Sequence, residues 1–224
     1  MGRPKGLSAK PFTLPTMATG VYIDGFNLYY GALKGSPYKW LDLAKLCATL
    51  LPNEDITRIL YFTARVDHRR DLEAPQRQNA YLRALGTIPR LHVHFGTFSS
   101  RPVMMPRFPI PAAGPRTVQV LKTEEKGSDV NLGCHALLDA IQGRVDTSVI
   151  ISNDSDLAEP VRLISIETSA RVGVINPHPR EKRSRSLSHH ADFRKQLSTY
   201  HLAASQFAAV LPDGHGNVHK PAEW

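Results

Sequence analysis

Acidic side chains stand at three points where an apolar stretch should run out as a β-strand. They are Asp24 in Val21-Tyr22-Ile23-Asp24-Gly25-Phe26-Asn27, Asp129 in Lys126-Gly127-Ser128-Asp129-Val130, and the Asp154/Asp156 pair in Ile150-Ile151-Ser152-Asn153-Asp154-Ser155-Asp156. A carboxylate at a buried sheet edge is costly unless it is paired or holds a cation. Several converging at one end of a parallel sheet would make an all-oxygen site suited to Mg2+ or Mn2+. In a chain with a formal net charge of +8, that combination points to phosphodiester chemistry.

Each acid also has a purely structural reading. Asp129 in the first turn of a helix suits the positive end of the helix dipole, with Ser128 before it as N-cap. Asp156 can cap the next helix with Glu159 as its capping-box partner, and Asp24-Gly25 can be a turn. What favours a site is the set, because all four acids would gather at one edge and repel one another without a cation. The expected arrangement has Asp24 at the centre, Asp154 and Asp156 beside it, and Asp129 approaching from its helix. Asp154 is the member with freedom to point away. Asn27, Ser152 and Lys126 are the candidate substrate-positioning residues.

Other phosphate chemistries lack their motifs. No Gly-x-Gly-x-x-Gly follows the first strand, and no Gly-x-x-x-x-Gly-Lys-Ser/Thr occurs. A phosphoaspartyl transferase would carry a second Asp two residues after the first, where this chain has Phe26. Asn153-Asp154-Ser155-Asp156 lacks the downstream Glu and the turn glycine of a calcium loop. His92 and His94 alternate on a strand, but no Cys or third His stands at zinc-site spacing, so they are expected to face solvent.

The elements that must position these acids follow from periodicity. Strands are expected at Gly20–Asp24, Ile56–Val66, Arg90–Thr97, Ser148–Ile151 and Arg171–Ile175. Helices are expected at Trp40–Leu51, Gln76–Leu85 and Leu157–Ile166, with Pro160 in a first turn. A further helix has Val130, Cys134, Leu137, Leu138 and Ile141 on one apolar face, which with the helical setting of Cys47 predicts two buried reduced thiols. Another short helix is expected around Ala191–Leu202. Strands alternating with helices imply a parallel sheet covered on both faces. Ligands of such sheets bind beyond the carboxyl ends of the strands.

The length of 224 residues suits one α/β domain with appendages, and 42% hydrophobic with 21% charged residues is a globular composition. Neither a membrane span nor a signal peptide is evident, so the cytoplasm is the expected address. Residues 1–19 read as a disordered leader with a charge of +3, and 178–195 carry six basic against two acidic residues. The proline-rich stretch 99–115 reads as a loop or hairpin insertion, with Val118–Leu121 a returning strand. From 99 to 122 there are four basic residues and no acid. Three basic segments make the footprint of a polyanion. Arg101, Arg107, Arg180, Lys182, Arg183 and Arg185 are the candidate nucleic-acid contacts, with Phe108 as a base-stacking ring and Phe98 a strand-end core residue. Residues 201–224 read as a polar tail.

Three ordered blocks now carry a resemblance. Val21-Tyr22-Ile23-Asp24-Gly25-Phe26-Asn27-Leu28-Tyr29, Glu125-Lys126-Gly127-Ser128-Asp129-Val130-Asn131-Leu132 and Ile151-Ser152-Asn153-Asp154-Ser155-Asp156-Leu157 resemble the signature blocks of the NYN domain family, within the PIN-like nuclease superfamily. Arg183–Phe193 is similar to that family's closing segment, so the resemblance spans about residues 20–200. It implies a Rossmann-like three-layer α/β/α sandwich with a mainly parallel central sheet, and divalent-metal-dependent cleavage of RNA. Asp24, Asp129, Asp154 and Asp156 fall on the family's acidic positions. Leu157 stands where members often carry Phe. The expectation is an Mg2+- or Mn2+-dependent endoribonuclease acting on single-stranded RNA. A catalytically idle RNA-binding or regulatory module and a small-molecule phosphatase are the alternatives.

Overall fold

Apolar runs without polar alternation, such as Val21-Tyr22-Ile23 and Val149-Ile150-Ile151, are satisfied only by burial on both faces, and all six residues are buried. They lie in the two central strands of a seven-stranded sheet in a computed structural model that describes residues 17–66, 71–179 and 182–224. The strands are β1 (Ala18–Asp24), β2 (Asp55–Ala64), β3 (Leu91–Pro106), β4 (Thr117–Lys126), β5 (Thr147–Ile151), β6 (Arg171–Asn176) and β7 (Phe193–Gln196). Their order is β4-β3-β2-β1-β5-β6-β7. Every neighbouring pair is parallel except β3 with β4.

Helices cover both faces. On one side α2 (Leu43–Leu50), α3 (Ala74–Leu85) and α7 (Thr199–Ala204) pack Leu46, Cys47, Leu85 and Leu202 against Val21, Ile23 and Ile59. On the other, α4 (Ser128–Ile141), α5 (Ala158–Glu167) and α6 (Arg185–His189) pack Leu132, Ala136, Val161, Ile164 and Leu187 against Tyr22, Leu60 and Val172. The result is an α/β fold whose large, mainly parallel sheet is flanked by helices.

Several local expectations change. The buried face of α4 is Leu132, Gly133, Ala136 and Ala140, while Val130, Leu138 and Ile141 are exposed and Cys134 is an exposed thiol. Small residues win the inner face because they let α4 approach its neighbours: a Cβ on Gly133 would come within 2.6 Å of the Pro160 ring of α5. His94 does not face solvent but stacks on Phe62, with His135 of α4 4.4 Å from it. The helix expected around Ala191–Leu202 is instead β7 followed by α7, because Phe193–Gln196 pairs in parallel with Gly173–Asn176. After residue 200 the chain is not a free tail. It forms α7 and a β8 (Val210–Asp213)–β9 (Gly216–His219) hairpin, and it buries Phe207 and places Trp224 beside Trp40 and Tyr81.

One continuous strand makes the insertion. β3 runs parallel to β2 from Leu91 to Gly96, then continues from Thr97 to Pro106 as half of an antiparallel arm with β4. Leader residues 1–16 and Arg180 lie outside the described residues, so expectations for them have no structural counterpart.

Candidate active site

Asp24 ends β1 and caps α1 (Gly25–Leu28). Its Oδ1 accepts from the Asn27 backbone N–H at 2.9 Å, and its Oδ2 accepts from the Ser152 hydroxyl at 2.9 Å. Gly25 is needed here because a Cβ would fall 2.7 Å from the Phe62 carbonyl oxygen and the Tyr61 ring. Asp24 is 4% exposed. Its carboxyl is pushed up to about 6, chiefly by burial and further by Asp129 and Asp154, against the pull of its two hydrogen bonds.

Asp129 approaches from the first turn of α4. The expected Ser128 cap is not used: Gly127 is the N-cap, in the left-handed region at φ 97°, which a side chain would strain. Ser128 donates its hydroxyl to Glu125 Oε2 at 2.6 Å and its N–H to Oε1 at 3.2 Å. The Asp129 carboxyl is held above its usual range by burial, then by Asp154, Glu125 and Asp156. Glu125, within the second sequence block, was not singled out from the sequence, yet it lines the same cleft. Its signal was position, because it is the last acid before a helix that opens on another acid.

Asp154 and Asp156 exchange their expected roles. Asp154 caps a short 3-10 helix (Ser155–Leu157) by accepting from the Asp156 N–H at 3.0 Å, while Glu159 pairs with Arg162 instead of completing a capping box. Asp154 lines the cleft; Asp156 is exposed and does not. The cleft has a volume of about 250 Å³ and is lined by Asp24, Asn27, Glu125, Asp129 and Asp154, with Phe26, Tyr30 and His178 at its walls. The His178 imidazole is shifted below its usual range by burial and by Lys182.

The expected positioning residues separate as well. The Asn27 amide oxygen accepts from the Asn153 N–H at 2.8 Å, which ties the loop after β1 to the loop after β5. Ser152 is fully buried, donating to Asp24 and accepting from the Asp154 N–H at 3.0 Å, so it braces carboxylates instead of meeting a substrate. Lys126 is an exposed partner of Glu124 at 3.3 Å and does not line the cleft. Arg101 sits opposite Lys122 on the arm, and Arg107 lies near its tip. Lys182 and Arg185 are exposed, while Arg183 lines a second cleft with Arg194 and Lys195.

Contrast with another buried acid identifies what is unusual here. Asp139, fully buried in α4, accepts from Tyr22, from Arg58 at 2.9 Å and from Arg144 at 3.0 Å. Among the described residues no Lys, Arg or His forms an ion pair with Asp24, Asp129, Asp154 or Asp156. The cleft therefore gathers negative charge that no ion pair among the described residues offsets. Among the described residues no three His, Cys, Asp or Glu side chains form a ready cage for a metal ion. The donor set still fits Mg2+ or Mn2+, because these ions prefer oxygen ligands, and Mg2+ commonly uses one or two carboxylates and keeps several waters.

The model of the NYN domain family matches residues 18–195. The chain is 34% identical over 236 aligned positions to the 6-hydroxy-3-succinoylpyridine 3-monooxygenase HspA of Pseudomonas putida, covering 93% of this chain and 75% of that protein. A crystal structure of a protein of unknown function from Vibrio parahaemolyticus matches with a TM-score of 0.53 at 15% identity, covering 86% of this chain and 97% of that one. At that identity the likeness concerns the fold alone. Among the described residues no helix is long and apolar enough to cross a membrane.

Proposed function

The chain belongs to the NYN domain family, and from that footing we propose that it is a PIN-like, divalent-metal-dependent ribonuclease that cuts single-stranded RNA internally, in the cytoplasm. The observation that carries this reading is the convergence of Asp24, Asp129 and Asp154 on one open cleft with no cationic partner among the described residues. Asp24, Asp129 and Asp154 would hold Mg2+ or Mn2+, with Glu125 and Asp156 adding negative charge around Asp129. A bound divalent ion supplies charge neutralisation and Lewis acidity at the scissile phosphate.

The protein's own groups do the rest. Ser152 and the Asn27 N–H hold the Asp24 carboxylate in one orientation and favour its ionised form. The Asn27–Asn153 bond keeps the β1 and β5 loops in fixed register, so that Asp24 and Asp154 face a common space. Arg101 and Lys122 on the arm, and Lys182, Arg183 and Arg185 beyond β6, offer phosphate contacts that place a strand without reading its sequence.

The test is a hairpin RNA with a long single-stranded loop, incubated with Mn2+ with and without EDTA and mapped for cut sites. EDTA-sensitive cuts in the loop support the proposal. Cuts confined to the stem, or cleavage of only the DNA version, would sink it. The same panel with a small phosphomonoester separates a phosphatase, and binding without cleavage separates an idle RNA-binding module.

The 34% identity to a named monooxygenase favours one second reading, oxygenation of a small nitrogen heteroaromatic. Its test is consumption of dioxygen with 6-hydroxy-3-succinoylpyridine and a supplied two-electron reductant. Turnover there with no RNA cleavage would select it over the nuclease.

A further inference from the structure

We propose that Phe98, Phe26 and Tyr30 form an aromatic ledge on which unpaired bases stack as their backbone crosses the carboxylate cleft. The proposal rests on the nuclease reading and names the substrate feature that the site holds. Phe26 and Tyr30 both line the cleft that contains Asp24, Asp129 and Asp154. The Phe98 ring meets Phe26 edge to face, with centroids 5.7 Å apart, and its register partner across the arm is Glu125, itself a cleft residue. Phe26 and Tyr30 are four residues apart on one helical stretch, a spacing that makes side chains neighbours. Phe98 and Phe26 thus make a ring pair at the base of the arm, and Tyr30 lines the same cleft as Phe26 beside the acids.

Both outer rings stay exposed although each has a neighbour, Tyr29 and Lys34 beside Tyr30 and Phe26 beside Phe98. Tyr30 is 59% and Phe98 38% exposed. Rings left in water at the rim of a carboxylate cleft gain nothing from core burial, and exposed aromatic surface in such a cleft marks a surface shaped for a ligand. The backbone at Tyr30 points the same way: Tyr29–Leu33 is a π-helix, a rare form that is frequent at functional sites. The Lys34 ammonium lies 4.9 Å from the Tyr30 ring centroid, which places a cation for a phosphate next to a ring for a base. Every base has a π-face, so such a ledge holds single strands of any sequence and cannot reach bases stacked inside a duplex. Phe108, the ring expected from the sequence to do this, is 100% exposed at the far end of the arm.

The experiment measures binding, with EDTA present and at low salt, of the full chain to a fluorescent single-stranded RNA and to an abasic strand of the same length. Proteins compared are wild type, Tyr30→Ala, Phe98→Ala and the ring-keeping Tyr30→Phe and Phe98→Tyr. Wild type is expected to prefer the base-bearing strand by about five- to a hundred-fold per stacked base. Each alanine variant should lose one base's share of that preference, about five- to a hundred-fold, while binding the abasic strand as wild type does, and the ring-keeping variants should retain it. Alanine variants that lose nothing, or that lose both strands equally, overturn the ledge alone. Wild type that binds neither strand overturns the ledge and the nuclease reading together. Ring-dependent binding by a protein that cuts no RNA keeps the ledge and removes only the nuclease.

Discussion

The Ser152 hydroxyl donates to the Asp24 carboxylate at 2.9 Å, joining the ends of two central strands across 128 positions of sequence. That bond favours the ionised acid, so Ser152→Ala should raise the Asp24 pKa further above its ordinary value. Hydrogen bonds to charged groups contribute about 1.5–3 kcal/mol. The expected outcome is a folded protein whose acid limb of RNA cleavage moves to higher pH, losing more rate at pH 6 than at pH 8. A pH–rate profile that superposes on wild type would show that Ser152 does not act through Asp24.

Asp24→Asn should abolish cleavage and raise stability at neutral pH. The folded carboxyl sits near 6 against an ordinary 3.8. From pH 4 to 6 the unfolded chain releases a proton that the folded chain keeps, so wild-type stability falls as pH rises through that window. Above it the penalty is on the order of 2–3 kcal/mol, and below about pH 4 it vanishes. Thermal unfolding should therefore place the variant above wild type at pH 7.5 and level with it near pH 4. Saturating Mn2+ should raise wild-type Tm, by about 2.7 kcal/mol equivalent at a hundred times Kd, and leave the variant unmoved.

Asp154→Asn should cost more activity than Asp156→Asn. Asp154 lines the cleft and raises the Asp24 carboxyl, whereas Asp156 is exposed and raises the Asp129 carboxyl from outside the cleft. Loss of an outer residue is expected to cut the cleavage rate by no more than about ten- to a hundred-fold, and loss of a direct ligand by more than that. Single-turnover rates at saturating Mn2+ decide it, and the reverse order would assign the metal to Asp156.

Asp139→Ala provides the opposite signature. Removing this acid strands Arg58, Arg144 and the Tyr22 hydroxyl, which all donate to it. Breaking such a buried pair typically costs about 3–5 kcal/mol. Urea unfolding should show a lower midpoint with an unchanged slope, while cleavage at 20 °C stays near wild type. A stable but inactive variant would move Asp139 into the site.

The parallel core was legible because its strands are apolar on both faces and its acids end them, as at Asp24 and Asp154. What could not be read there was direction. Asp154 and Asp156 are two residues apart, and only the short helical turn that Asp154 caps decides which one faces the cleft. The apolar pattern of α4 was equally ambiguous, because both its faces can be buried by composition, and the small residues Gly133, Ala136 and Ala140 took the inner one. Glu125 escaped notice since its role depends on register in the arm, a non-local fact. The NYN resemblance was carried by three short blocks, and those blocks are the loops that meet at the cleft.

The arm separates reach from chemistry. Phe98 and Glu125 are paired near its base, and nine register pairs, theirs included, run from there to Pro106 and Thr117. Side chains alternate with a period of two, so lengthening or shortening both strands by two residues at the tip would leave every base-proximal residue on its present face. Descendants of this sequence can therefore change how far along a strand they grip while the carboxylates, the ledge and the sheet beneath them stay untouched.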